Sequence, residues 1–317
     1  MADNQNWERS VLEKLAMSAV QEQRRARHWA IFFKTLAFIF LFLMFFLYMG
    51  WIGGGTEARL GLGKHTALVD LEGVIAADST ASADNVISGL QDAFKDSKTK
   101  GVILRINSPG GSPVQAGYIN DEMRRLRAKY PKIPLYVVVE DMCASGGYYV
   151  AAAADKIYVN KASIVGSIGV LMDGFGYTGT MEKLGVERRL LTAGENKGFL
   201  DPFSPMSEKQ KQFAQSMLDD IHQQFINVVK QGRGKRLKEI PGLFSGLFWT
   251  GDKSIELGLA DAIGSVDSVA RDVIKAEDIV DYTSREGVAE RLARKFGAGM
   301  ASAFPGFGLH ANGVTLR

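Results

Sequence analysis

An α/β domain behind a single membrane-spanning helix is the fold class this sequence predicts, and three observations predict it. An uncharged apolar run, "TLAFIFLFLMFFLYMGWI" at residues 35–52, is long enough to cross a bilayer as a helix. From His65 onward, short β-rich runs alternate with helical ones, the pattern of βαβ units around a buried, mostly parallel sheet. A hydrophobic content of 46% over 317 residues is enough to fill a large core.

Residues 1–28 read as a polar cytoplasmic arm, with Val11, Leu12, Leu15 and Val20 at roughly helical spacing. The anchor occupies 29–52, where Trp29, Tyr48 and Trp51 suit the headgroup zones and Lys34 can snorkel outward. Phe and Leu on every face argue against a buried core helix. A long polar arm ahead of the run, and no A-x-A motif behind it, argue against a cleaved signal peptide. Arg24, Arg25 and Arg27 on the N-terminal side keep the N-terminus cytoplasmic, so the rest of the chain is expected outside, periplasmic if the source is a bacterium. Glycine-rich residues 53–64 form a linker.

The soluble domain is expected over 65–282. Its strand runs are "TALVDLEGVI", "GVILRINS", "PLYVVVE", "KIYVN" and "SIVGSIGV". Helices are expected near 83–96, over 113–129, after Ser145, from Ser207 to about Gln231, and near 252–259 and 265–275. Residues 283–317 form a glycine-rich, weakly amphipathic tail.

Composition excludes several function classes. A net charge of +3 without a basic stripe argues against nucleic acid. The single cysteine, Cys143, allows no intrachain disulfide and no thiolate cluster. The four histidines, at 28, 65, 222 and 310, lack ligand spacing, so neither a metal nor a cofactor is expected.

Two stretches carry candidate chemistry. In "EDMCASGGYY" Ser145 lies between a strand and a helix, followed by Gly146 and Gly147. A hydroxyl on such a turn can act as a nucleophile beside the next backbone amide, although the first glycine of G-x-S-x-G is replaced by Cys143. A tight packing turn is the competing reading. In "NSPGGSP", Gly110 and Gly111 can aim amides at an anionic oxygen, or can simply start a helix at Pro113. No histidine sits where a base would. Lys197, in "AGENKGFLDPFSP" between a strand and the long helix, is the alternative. To be neutral near pH 7 it needs its pKa lowered by roughly three units, about 4 kcal/mol, mostly through burial, with Ser167 of "IVGSIGV" available to orient it. Cys143 is the rival nucleophile, but it lacks a histidine partner and suits a packed interior.

The single span together with "NSPGG", "CASGGYYVAAAADKIY", "SIVGSIGV", "ENKGFLDPFSPMS" and "WTGDKSIELGLADAIGS" resembles the signal peptide peptidase A (protease IV) family in its half-length form. The resemblance covers roughly residues 65–270. It implies a ClpP/crotonase-like fold and a serine endopeptidase acting on remnant signal peptides in the membrane. It also implies Ser145 as nucleophile, Lys197 as general base, Ser167 as the residue orienting that lysine, and Gly110 or Gly111 with Gly146 as oxyanion donors. A ring, expected to be an octamer, would bring serine and lysine together from neighbouring copies, and the tail could enter that ring and be trimmed. Two competing readings are a catalytically silent membrane scaffold and a crotonase-like acyl-CoA enzyme, the latter disfavoured by an extracytoplasmic location.

Overall fold

The structure, a computed structural model, describes residues 2–53 and 63–284. Most of the expected linker and nearly all of the expected tail lie outside the described residues. The described residues fall into two compact units, residues 2–53 and residues 63–284.

In the first unit, α1 (Ala2–Gly53) is one continuous helix of 52 residues, about 78 Å long at 1.5 Å per residue. The arm and anchor are thus one helix, because nothing between Arg24 and Trp29 breaks helical geometry. Within it, Val20–Phe46 is long and apolar enough to cross a membrane. Its side chains are exposed on all sides, and Phe38, Phe42 and Phe46 follow one another at i,i+4 spacing with centroids 6.5 and 5.2 Å apart.

The second unit is the α/β domain. Strands β1 (His65–Glu72), β2 (Thr99–Ser108) and β3 (Leu135–Ala144) alternate with α2 (Ala83–Lys95) and α3 (Pro113–Lys129). Local chemistry sets the helix starts. Ser82 and Ser112 accept from Asn85 N and Gln115 N, and Pro113 occupies a first-turn position where its missing N–H costs nothing. After β3 come α4 (Gly146–Ala151), β4 (Lys156–Val159), β5 (Ile164–Gly166), α5 (Thr178–Lys183) and the long α6 (Glu208–Arg233), which opens on a Ser207–Gln210 capping box. The domain closes with β6 (Phe248–Thr250), α7 (Gly251–Glu256), β7 (Ala262–Ile263), α8 (Val266–Ser268) running into a π-helical turn (Val269–Ile274), and β8 (Ile279–Asp281).

The sheet order is β6-β5-β3-β2-β1-β8, with β4 between β3 and β7. Every pairing is parallel except that of β5 with β6. One face carries Ala67, Val69, Leu71, Val102, Leu104, Ile106, Val137 and Val139 into the main core beneath α2, α3, α4 and α6. The other carries Leu68, Ile103, Val138 and Tyr158 against the π-helical turn. β3 is forked: Tyr136–Val138 pair with β4, whereas Met142–Ala144 pair with β5. Opposite, the two steps from Ile106 to Ser108 on β2 face four steps from Val139 to Cys143 on β3. This bulge turns the end of β3 out of the regular ladder and aims Ser145.

α6 is fixed to this core at its C-terminal end. Phe225, Val229 and Arg233 recur at i,i+4 spacing and are buried. A methyl on Gly232 would stand 1.9 Å from the Ala152 carbonyl, so only glycine permits this approach to the end of α4. Arg233, 1% exposed, donates to Gly258 O and to Asp261 Oδ2 at 2.8 Å each, and Arg236 reaches the other Asp261 oxygen. Burial opposes ionisation of Asp261, but the bond and charge of Arg233 outweigh it and hold the carboxyl below the usual range. Because that pKa is depressed on folding, the stabilisation is present at neutral pH and is lost as pH falls through the folded value. Asp261→Ala, which strands the buried guanidinium, is expected to cost about 3–5 kcal/mol in urea unfolding at pH 7. The gap from wild type should narrow as the pH is taken below the carboxylate range; an undiminished gap at acid pH would remove the ion pair as its cause.

The helix expected after Ser145 forms and is six residues long. Other expectations need correction. The segment expected over 265–275 is a short α-helix followed by a π-helical turn. No strand precedes Lys197: α5 comes before it, and residues 186–192 find no sheet edge to pair with.

Candidate active site

Ser145 stands between β3 and α4 with φ 50° and ψ −123°, a conformation that side chains rarely adopt and that costs on the order of 1–3 kcal/mol. It is held there from both sides. Its N–H donates to Gly166 O on β5 at 2.9 Å, and its carbonyl accepts from Tyr149 N at 3.0 Å. Tyr149 O in turn accepts from Asn120 Nδ2 of α3 at 2.7 Å, a buried polar contact that fixes α4. Ser145 as a residue is half-buried on this turn. Sequence reading missed Asn120, which sits at a polar position on an otherwise unremarkable helix.

The loop after β2 closes against this turn. Ser108 Oγ donates to Gly73 O at 2.6 Å and accepts from Gly110 N at 3.1 Å, so the Gly110 amide is occupied. Gly110 O accepts from Ile75 N and Ile75 O from Ser112 N, both at 2.8 Å, a one-residue parallel bridge. In parallel pairing the residue between those bonds points its own N–H the other way. That residue is Gly111. A Cβ built on Gly146 would lie 3.2 Å from Gly111 N, and one on Gly110 would lie 2.6 Å from Gly146 N. The amides of Gly111 and Gly146 are therefore neighbours beside Ser145. Gly146 opens α4, where an intrahelical acceptor does not exist for its N–H.

Ser167 follows β5 with φ 52°, positive like that of Ser145. Its N–H donates to Leu247 O at 2.8 Å and its carbonyl accepts from Gly169 N at 2.9 Å. The fork in β3 makes β5 its neighbour, so Ser145 and Ser167 extend from adjacent strand ends.

Lys197 is not brought in. It lies in a turn with an exposed side chain, and among the described residues of one protomer no hydrogen bond joins it to Ser145 or Ser167. The stretch between β5 and α6 that carries it exposes apolar side chains, Leu191 at 97% and Leu171 and Phe175 at about 80%. Cys143 is fully buried in the core, and burial pushes its thiol well above the ordinary range. Cys143→Ala should keep activity within about twofold, and the native protein should resist maleimide labelling; rapid labelling with loss of activity would restore the thiol as a candidate.

A groove of about 790 Å³ lies on the other sheet face, where Arg105, Glu140, Asn160 and Asp267 line it. None of the candidate residues reaches it, and Arg105 is committed to Asp70 through two 2.8 Å bonds. No group of three potential metal ligands occurs among the described residues.

A strained serine at a strand-to-helix turn, beside two neighbouring backbone amides, is an arrangement suited to acyl transfer, in which a hydroxyl attacks a carbonyl and amides receive its oxygen. Residues 127–279 match peptidase family S49. A putative-grade protease of Methanocaldococcus jannaschii is 33% identical over 223 residues, 70% of each chain. The chain belongs to this peptidase family. A protein of Enterococcus faecium, provisionally described as signal peptide peptidase SppA, is 33% identical over 199 residues, 63% of this chain and 57% of that one. A Brucella melitensis protein named Na(+)/H(+) antiporter NhaA is 43% identical over 209 residues, 64% of this chain. The present chain covers 28% of the Brucella protein.

Proposed function

We propose that this protein is a membrane-anchored serine endopeptidase in which Ser145 is the nucleophile, Lys197 the general base and Ser167 the residue orienting that lysine. Gly111 and Gly146 are the oxyanion donors. The observation that carries the reading is the strained Ser145 turn with the two amides beside it. Gly110 serves by its shape, since its amide belongs to Ser108.

Neutral Lys197 takes the Ser145 proton, the alkoxide attacks a peptide carbonyl, and the oxyanion is held by the Gly111 and Gly146 amides. The lysine then gives its proton to the leaving amine, and a water deprotonated by the same lysine releases the acyl group. The substrates are remnant signal peptides and other small or unfolded polypeptides.

Lys197 comes from a neighbouring copy. Leu171, Phe175, Leu184 and Leu191, all exposed in the stretch between β5 and α6 that carries Lys197, support this reading, since large apolar side chains concentrated in one segment suit a subunit contact. Burial there disfavours the ammonium and so favours the base. The assembly is a closed ring, an octamer. α1 anchors it with the N-terminus cytoplasmic and the domain on the periplasmic side of a bacterial inner membrane.

The silent-scaffold reading has one observation of its own, the absence of a Lys197–Ser145 bond within a protomer. The test is cleavage of an apolar fluorogenic peptide by detergent-solubilised full-length protein and by Lys197→Ala. Cleavage by wild type with a loss of at least about 10³-fold in the variant is expected; equal activity in both would remove Lys197, and none in either would favour the scaffold.

A further inference from the structure

We propose that His222, in the middle of α6, is a positioning residue that fixes Ser167 for its work on the lysine. The inference rests on the reading of Ser167 given above. His222 Nε2 lies 3.1 Å from the carbonyl oxygen of Ile168, the residue directly after Ser167. A carbonyl only accepts, so Nε2 carries the proton, and both the neutral Nε2–H ring and the imidazolium supply it.

This bond pins one end of a strained segment. Ser167 is at φ 52°, and its N–H and carbonyl are engaged with Leu247 and Gly169. Ile168 is fully buried, so its peptide cannot turn to water without moving a core side chain. The backbone passing through Ser167 is therefore over-determined only if the Ile168 carbonyl also has its donor, and His222 is that donor.

The same face of α6 reaches the nucleophile. Phe225, three residues on, packs on Tyr149 of α4 with ring centroids 5.2 Å apart, and Tyr149 N bonds to Ser145 O. One helix, anchored at Gly232 and Arg233, thus braces the Ser145 turn and the Ser167 turn together, and its N-terminal end continues the segment that carries Lys197.

The test uses full-length solubilised protein and peptide cleavage, comparing His222→Phe, which keeps a ring but has no donor, with His222→Gln, whose amide can donate. Expected is a fall in kcat of about tenfold for the phenylalanine variant with KM within about twofold, and recovery to within about threefold in the glutamine variant. Melting temperatures should stay close to wild type in both. In the Ser167→Ala background the phenylalanine change should add nothing, since residues acting through one another are not additive. Wild-type kcat in His222→Phe, equal impairment of both variants, or full additivity with Ser167→Ala would overturn the proposal. Ser167→Ala that is itself fully active would instead fault the role of Ser167, and with it this inference; Ser167→Ala impaired beside a normal His222→Phe would fault His222 alone.

Discussion

Ser145→Ala is expected to lower peptide cleavage by about 10³- to 10⁶-fold, the range seen when a catalytic nucleophile is removed and only binding and the oxyanion site remain. The fold should survive. The change deletes one oxygen from a half-buried residue, while the bonds that hold the turn, from Ser145 N to Gly166 O and from Tyr149 N to Ser145 O, belong to the backbone. The positive φ remains as costly for alanine as for serine, so the melting temperature should move by no more than a few degrees. Labelling by a fluorophosphonate probe should vanish with activity. A variant that still cleaves, or that loses its label only because it has unfolded, would remove the support for Ser145.

Gly110→Ala should also lower activity strongly, for a different reason. Its φ of +100° is one that alanine resists, and the added methyl would stand 2.6 Å from Gly146 N, 2.7 Å from Ser145 Cβ and 2.8 Å from Ala144 O. These are backbone atoms and a held side chain, so the Gly110–Gly111 loop must move away from Ser145. A displaced hole forfeits about 10²- to 10³-fold in kcat. Gly117→Ala is the matched control: it sits in α3 with no atom within 4 Å of a built Cβ, and should leave activity unchanged while adding up to about 1 kcal/mol of helix stability. Comparable kcat for the two glycine variants would contradict the role given to the loop. Gly111→Ala would test less cleanly, because its methyl would meet Ile75 O at 2.2 Å and unseat the whole bridge.

The regular α/β part was legible because its signals are local. Alternation through "GVILRINS" and "PLYVVVE", with Ser112–Pro113 punctuation, places β2, β3 and the full extent of α3. The Ser145 turn was legible for the same reason, since Ser-Gly-Gly after a strand is a local pattern. What the sequence did not show depends on partners distant along the chain. β6, β7 and β8 are two or three residues long and exist only through the strands they pair with. The choice between Gly110 and Gly111 turned on Ser108, whose hydroxyl takes one amide and leaves the other. His222 looked like an ordinary mid-helix histidine because Ile168 lies 54 residues away. Lys197 remains the residue whose setting one chain alone does not complete.

The central claim is that Ser145 of one copy is served by Lys197 of the next, and co-expression of Ser145→Ala with Lys197→Ala in full-length protein tests it most directly. Each variant alone should be inactive. In a ring assembled at random from equal amounts, about a quarter of the junctions pair an intact serine with an intact lysine, so the mixture should recover up to roughly that share of wild-type cleavage. Recovery that scales with co-assembly is the predicted result; two inactive parents whose co-assembled mixture is equally inactive would contradict it.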